Sequence, residues 1–170
     1  MLNPEITDAL NKQVQLEAQS SHAYLAMAVW AETEGYDGTA TFLYRHAEEE
    51  RVHMLKLIRF INERGSKAVV PALGAPSPAF TGLKEAFESV LEHETRVTQS
   101  INEVVDLCLK VKDYPTYNFM QWYVAEQLEE EGLARRILDR LALAGDASGA
   151  LYHFDRDITS MEAAAEEPTA

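Results

Sequence analysis

A single cysteine, Cys108, leaves no partner for an intrachain disulfide and no C-x-x-C pair to deliver electrons. Basic residues are scarce as well. Fifteen Lys and Arg face 28 Asp and Glu, and the formal charge of −13 has the wrong sign for a sequence-independent hold on phosphate backbones. Nucleic acid is therefore not an expected partner. No apolar run approaches the roughly 20 residues of a membrane span, so no membrane association is expected. The first ten residues, MLNPEITDAL, lack a basic segment followed by an apolar one, so a cytoplasmic location is expected. No segment reads as a strand either, which makes the expected fold class all-α.

The chain has helical periodicity in abundance. Four long patterns cover approximately residues 5–34, 39–64, 81–110 and 116–143. Pro4 opens the first, Gly35 to Gly38 separates it from the second, Gly65 ends the second, and Asp113-Tyr114-Pro115 divides the third from the fourth. Between the second and third lies GSKAVVPALGAPSPAFT. Extended at about 3.3 Å per residue it reaches roughly 50 Å, more than the length of a helix of about 26 residues. Helices two and three can therefore run parallel, joined end to end by one long crossover, which is the topology of a ferritin-like four-helix bundle. The stretch SGALYHFDRDI predicts a short fifth helix. One domain is expected over residues 1–157, with a flexible C-terminal tail over 158–170.

Each helix carries one acid where an apolar residue belongs. In HAEEERVHMLKLIRF, Glu50 lies within about 20° of Leu43, Leu57 and Ile61 on a helical wheel, and His53 is about 60° away on the same side. Glu17 sits among Ile6, Leu10, Tyr24 and Ala28, Glu94 among Leu83, Phe87, Ile101 and Val105, and Glu130 among Phe119, Tyr123, Ile137 and Leu141, all within about 20°. Each acid is within about three residues, or roughly 4.5 Å, of its helix midpoint, so the four should meet in one layer joined by His53 and Gln127. Four buried carboxylates with no Lys or Arg on their stripes within two turns of the layer call for cations, and two divalent ions balance the charge. Oxygen-rich ligation with one imidazole suits iron or manganese better than structural zinc.

Over residues 3–157 the sequence resembles the ferritins, specifically the bacterial non-haem type. The resemblance rests on Glu17 with Tyr24 seven residues on, EEERVH, HETRVTQSINE around Glu94, and FMQWYVAEQLEEE leading to Glu130. It implies one iron held by Glu17, Glu50 and His53, and a second held by Glu50, Glu94 and Glu130, with Glu50 bridging. It places Gln127 beside the site, Tyr24 as a redox-active hydrogen-bonding tyrosine, and Trp122 as a second electron donor or as core packing. Glu49, Glu126 and Glu129 resemble the acids that, with Glu130, hold a third iron in such proteins; Glu49 and Glu129 lie about 100° from Glu50 and Glu130, where plain exposure gives the same pattern.

Haem is not expected. Arg51-Val52 lacks the methionine that would ligate it, and the fourth helix carries Gln127-Leu-Glu-Glu130 in place of a second E-x-x-H. His22, His46, His93 and His153 are assigned to packing or surface, with His46 also able to support the site as a hydrogen-bond donor. The implied function is iron storage and detoxification. Fe(II) would be oxidised by dioxygen or hydrogen peroxide, and ferric mineral deposited inside a homo-oligomeric cage of 24 subunits. The competing reading is a small di-iron oxidase or peroxidase that stores nothing. A purely structural bundle would leave the buried acids unexplained.

Overall fold

The computed structural model describes residues 2–145 and 147–163. Its helices are α1 (Pro4–Thr33), α2 (Asp37–Glu63), α3 (Leu83–Val111), α4 (Tyr114–Ala144), α5 (Ser148–Asp157) and α6 (Thr159–Ala163), and no strand occurs among the described residues. Starts are set by local chemistry. Asn3 caps α1 by accepting the Glu5 amide at 2.8 Å ahead of Pro4, and Asp113 caps α4 by accepting from the Thr116 amide at 3.3 Å and its hydroxyl at 2.8 Å. Arg64, from the end of α2, adds two donor contacts to Asp113 at 3.1 and 3.3 Å, which ties that end of α2 to the α3–α4 corner. Gly35 turns the chain between α1 and α2 at φ 84°, a conformation that costs glycine little.

The apolar core falls into two clusters. One gathers Met27, Ala28, Phe42, Leu43, Phe87, Ile137 and Leu141; the other gathers Ile6, Leu10, Leu57, Ile61, Ile101 and Met120. The first thus uses the C-terminal half of α1, the N-terminal halves of α2 and α3, and the C-terminal half of α4. The second uses the opposite halves. That division is possible only if α2 and α3 are parallel and α1 and α4 run against them, the arrangement expected from the long crossover. The crossover is pinned at its start, where the Val69 amide donates to Asn11 Oδ1 at 2.7 Å and the Ala68 amide to Asn62 Oδ1 at 3.0 Å. A fully buried leucine or isoleucine contributes about 1.5–3 kcal/mol, so two such clusters can offset a polar layer between them.

The C-terminal helices close one end of the bundle. Asp155 of α5 accepts from the Gly38 amide at 3.0 Å and the Thr39 amide at 2.8 Å, capping the start of α2 from a distant part of the sequence. A Cβ on Gly38 would come within 1.8 Å of the Asp155 carbonyl oxygen, so only glycine permits this approach. Residues 158–163, expected to belong to the tail, pack on the bundle: Ile158 is fully buried, and α6 places Met161 in the same cluster. The remainder of that segment, 164–170, lies outside the described residues.

Candidate metal centre

Between the two apolar clusters lies the polar layer. Glu17, Glu50 and Glu94 are each 1% exposed, and the Glu130 side chain is 15% exposed. Burial at this depth is costly for an ionised carboxylate. Three of these oxygens, Glu17 Oε2 and both of Glu50, have no hydrogen-bond partner. Glu17, Glu50 and His53 offer ligand atoms all within 4.8 Å of one another, with His53 Nδ1 at 3.5 Å from Glu50 Oε1. Three buried groups gathered this closely, with three of their carboxylate oxygens left without a donor, could hold a cation.

The expected second group, Glu50 with Glu94 and Glu130, is less tightly gathered. Glu94 is held by donors on both oxygens: the Tyr24 hydroxyl donates to Oε1, and Gln127 Nε2 donates to Oε2 at 3.0 Å. Gln127 also reaches the Glu94 carbonyl oxygen at 3.1 Å and Thr98 Oγ1 at 3.3 Å. Its position beside the site is thus that of an orienting donor to Glu94. Glu130 faces His46 instead, with Oε2 3.6 Å from Nδ1, and Glu49 Oε2 approaches the same nitrogen at 3.4 Å. Carboxylates that repel one another in a low dielectric settle against whichever donors lie closest.

His46, Glu49 and Glu130 consequently form a second group of mutually close ligand atoms on the flank of the first. The other acids expected there are placed differently, Glu126 half-buried and Glu129 exposed. Both still raise the Glu130 pKa through their charge. His46 is where the wheel's ambiguity mattered. At about 40° from Glu50 it reads as packing or as support, and the structure sets its ring against Phe42 at 4.2 Å and its Nδ1 near Glu49 and Glu130.

Two supporting residues were not singled out from the sequence. Gln13, fully buried one turn before Glu17, donates Nε2 to Glu17 Oε1 at 2.7 Å; a polar residue on the apolar stripe was the available signal. Tyr123 donates its hydroxyl to the His53 carbonyl at 2.8 Å, a pairing between α2 and α4 that no local pattern encodes. Trp122 stands edge-on to His53 at 5.1 Å, and Lys56 Nζ lies 3.0 Å from the centroid of its indole.

The electrostatics follow from burial. Desolvation raises Glu17, with the Glu50 charge adding to it, and raises Glu50, with the Glu94 charge adding to it. Glu94 is also raised by burial, against the opposing effect of the Tyr24 and Gln127 hydrogen bonds. Glu130 is pushed up to about 9 by burial and then by Glu94 and Glu49. His46 is lowered to about 3 by burial and the nearby Arg45 and His53, so its imidazole is neutral and can ligate. Glu130 therefore keeps its proton near neutral pH, and a cation bound there would displace it.

A family model described as a ferritin-like domain matches residues 7–144. The chain is 44% identical over 161 residues to a probable bacterial non-heme ferritin-like protein of Haemophilus influenzae, covering 95% of this chain and 98% of that one. It is 39% identical over 162 residues to the bacterial non-heme ferritin of Escherichia coli, again covering 95% and 98%. Among solved structures, an open pore ferritin from the archaeon Archaeoglobus fulgidus superposes with a TM-score of 0.91 at 36% identity, covering 94% of this chain and 98% of that one.

Proposed function

The chain belongs to the ferritin family, and on that premise we propose that it stores iron and that each subunit is a ferroxidase, oxidising Fe(II) within its own bundle before the ferric product enters a mineral. The observation that carries this reading is the buried group of Glu17, Glu50 and His53, in which three carboxylate oxygens have no protein donor. Carboxylates with one imidazole suit Fe(II), and hard oxygen ligands favour Fe(III) still more as the metal is oxidised. Iron is the substrate here, and the protein's part is to supply anions at fixed positions.

In this reading Glu17, Glu50 and His53 hold one iron. Glu94 and Glu130 hold the second, with Glu50 between the two. Each Fe(II) gives up one electron, so a pair supplies the two electrons that take dioxygen to hydrogen peroxide, or hydrogen peroxide to water, with two protons consumed in either case. Gln127 and Tyr24 fix the rotamer of Glu94, which keeps its carboxylate aimed at the second metal. We assign a third iron position beside the pair to the acids Glu49, Glu126, Glu129 and Glu130, of which Glu49 and Glu130 lie together with His46 and Glu126 and Glu129 add negative charge nearby. Trp122, in ring contact with His53, is assigned as a second electron donor.

Iron storage further requires a shell. We assign the chain to a homo-oligomeric cage of 24 copies in the cytoplasm; no helix among the described residues is long and apolar enough to cross a membrane. The test is aerobic Fe(II) oxidation followed optically in two single variants. Glu50→Ala removes the shared ligand and should slow oxidation by at least tenfold, whereas Glu63→Ala, on the exposed face of α2, should leave the rate within a factor of two. Equal rates in the two variants would overturn the assignment.

A further inference from the structure

Two aromatic rings of α4 stand edge-on to His53, Trp122 at 5.1 Å between centroids and Tyr123 at 6.2 Å. Lys56 of α2 lies over the nearer of the two. Its Nζ is 3.0 Å from the centroid of the Trp122 indole and 5.8 Å from that of the Tyr123 ring. The register is fixed one turn away along both helices, where Phe60 stacks on Phe119 at 3.7 Å with the planes 6° apart. Lys56 and Phe60 share one face of α2, and Phe119 and Trp122 share one face of α4. Antiparallel packing of the two helices therefore brings both pairs together.

The ammonium and the indole interact differently according to the charge on the ring. The negative face of a neutral indole attracts a cation. Removal of one electron makes the ring positive, and at this separation the attraction becomes repulsion. Both side chains are half-buried, so water screens that repulsion less than it would on an open surface. Glu126, half-buried one turn beyond Trp122, is the acid whose charge acts on Lys56, and it offsets part of the effect.

We propose that Lys56 controls electron loss from Trp122: its ammonium, seated over the indole, opposes oxidation of the ring and keeps Trp122 reduced beside the metal layer. Lys56 is thus a positioning residue that acts through charge. The consequence for iron chemistry rests on the reading of the layer as a ferroxidase. When hydrogen peroxide is taken to two waters, one Fe(II) supplies one electron and Trp122 the other. Two protons are consumed in that step. One is the indole's own from Nε1, which leaves a neutral radical in place of a radical cation facing the ammonium, and the other comes from water.

The test is flash photolysis of the iron-free assembled protein with riboflavin, an uncharged photo-oxidant, under anaerobic conditions, with the indole radical followed by transient absorption. Lys56→Met should raise the radical yield several-fold, with acrylamide quenching of the indole emission unchanged. Lys56→Arg, which keeps the cation, and Arg59→Met, which removes an exposed charge one turn away, should stay within a factor of two of the parent. Adding Trp122→Phe to Lys56→Met should abolish the increase. Four results would each overturn the proposal: no increase in Lys56→Met, an equal increase in Arg59→Met, an increase that survives Trp122→Phe, or one matched by stronger acrylamide quenching. Since no iron is present, failure of the protein to oxidise Fe(II) would refute the proposed function and leave the Lys56 result standing.

Discussion

Replacing Glu130 by glutamine should make the iron-free protein more stable at pH 7, by an amount set almost wholly by pH. Glu130 is pushed from its ordinary 4.5 up to about 9, first by burial and then by the charges of Glu94 and Glu49. Between those values the folded chain holds a proton that the unfolded chain has lost. The unfolded state then binds fewer protons, so stability falls as pH rises through the interval. Because the folded pKa lies above 7, the cost at pH 7 is the cost of protonating an ordinary carboxylate there, about 2.5 pH units at about 1.4 kcal/mol each, or about 3 kcal/mol. Glutamine has the same shape and no such cost. At pH 5 the corresponding gain is below about 1 kcal/mol, so the change between the two pH values, roughly 2–3 kcal/mol, is free of any constant effect of the amide itself. The assay is urea unfolding of both iron-free proteins at one fixed protein concentration, followed by circular dichroism at pH 5 and pH 7. A stability gain that does not grow between pH 5 and pH 7 would refute the reasoning, because it would mean that Glu130 is ionised in the folded state.

Three further outcomes follow from particular contacts. Tyr24→Phe removes the donor to Glu94 Oε1 and should slow Fe(II) oxidation several-fold while the number of metal ions bound per chain, measured with Zn(II), stays unchanged. Gln127→Ala removes the donor at 3.0 Å to Glu94 Oε2 and should act similarly, since an amide is not needed for charge balance; complete loss of metal in that variant would contradict its role. Asp155→Ala uncaps the start of α2 and should lower stability by about 1 kcal/mol, seen as an earlier thermal transition, with the oxidation rate per folded chain unaffected.

The parts of this fold that were legible in the sequence are those with a period. The four helices, the parallel α2 and α3, and the central position of Glu17, Glu50, Glu94 and Glu130 all follow from apolar spacing and from a crossover long enough to span the bundle. What the wheel cannot supply is which donor a buried acid chooses. The Tyr24–Glu94 pair joins α1 to α3, the Tyr123 bond to His53 joins α4 to α2, and each depends on rotamers fixed by the packed core. Glu126 and Glu129 differ in exposure for the same reason, since a residue on the flank of a stripe is placed by the rotation of its whole helix. The packing of 158–163 is not legible in the sequence because Ile158 and Met161 mark less than one turn, too short for a period. Their burial is created by the end of the bundle and not by the segment itself.

The central claim, oxidation at an intra-bundle metal pair coupled to storage, is tested most directly by iron retained per chain. Metal-free protein would be loaded with Fe(II) in air, then separated on a sizing column with mass detection and iron analysis of each fraction. The account predicts iron far in excess of the two or three ions that one chain's ligands can hold, eluting with an assembly of many subunits. Two or three iron atoms on a monomer or dimer would contradict storage and leave a small oxidase, and no retained iron would contradict the metal centre itself.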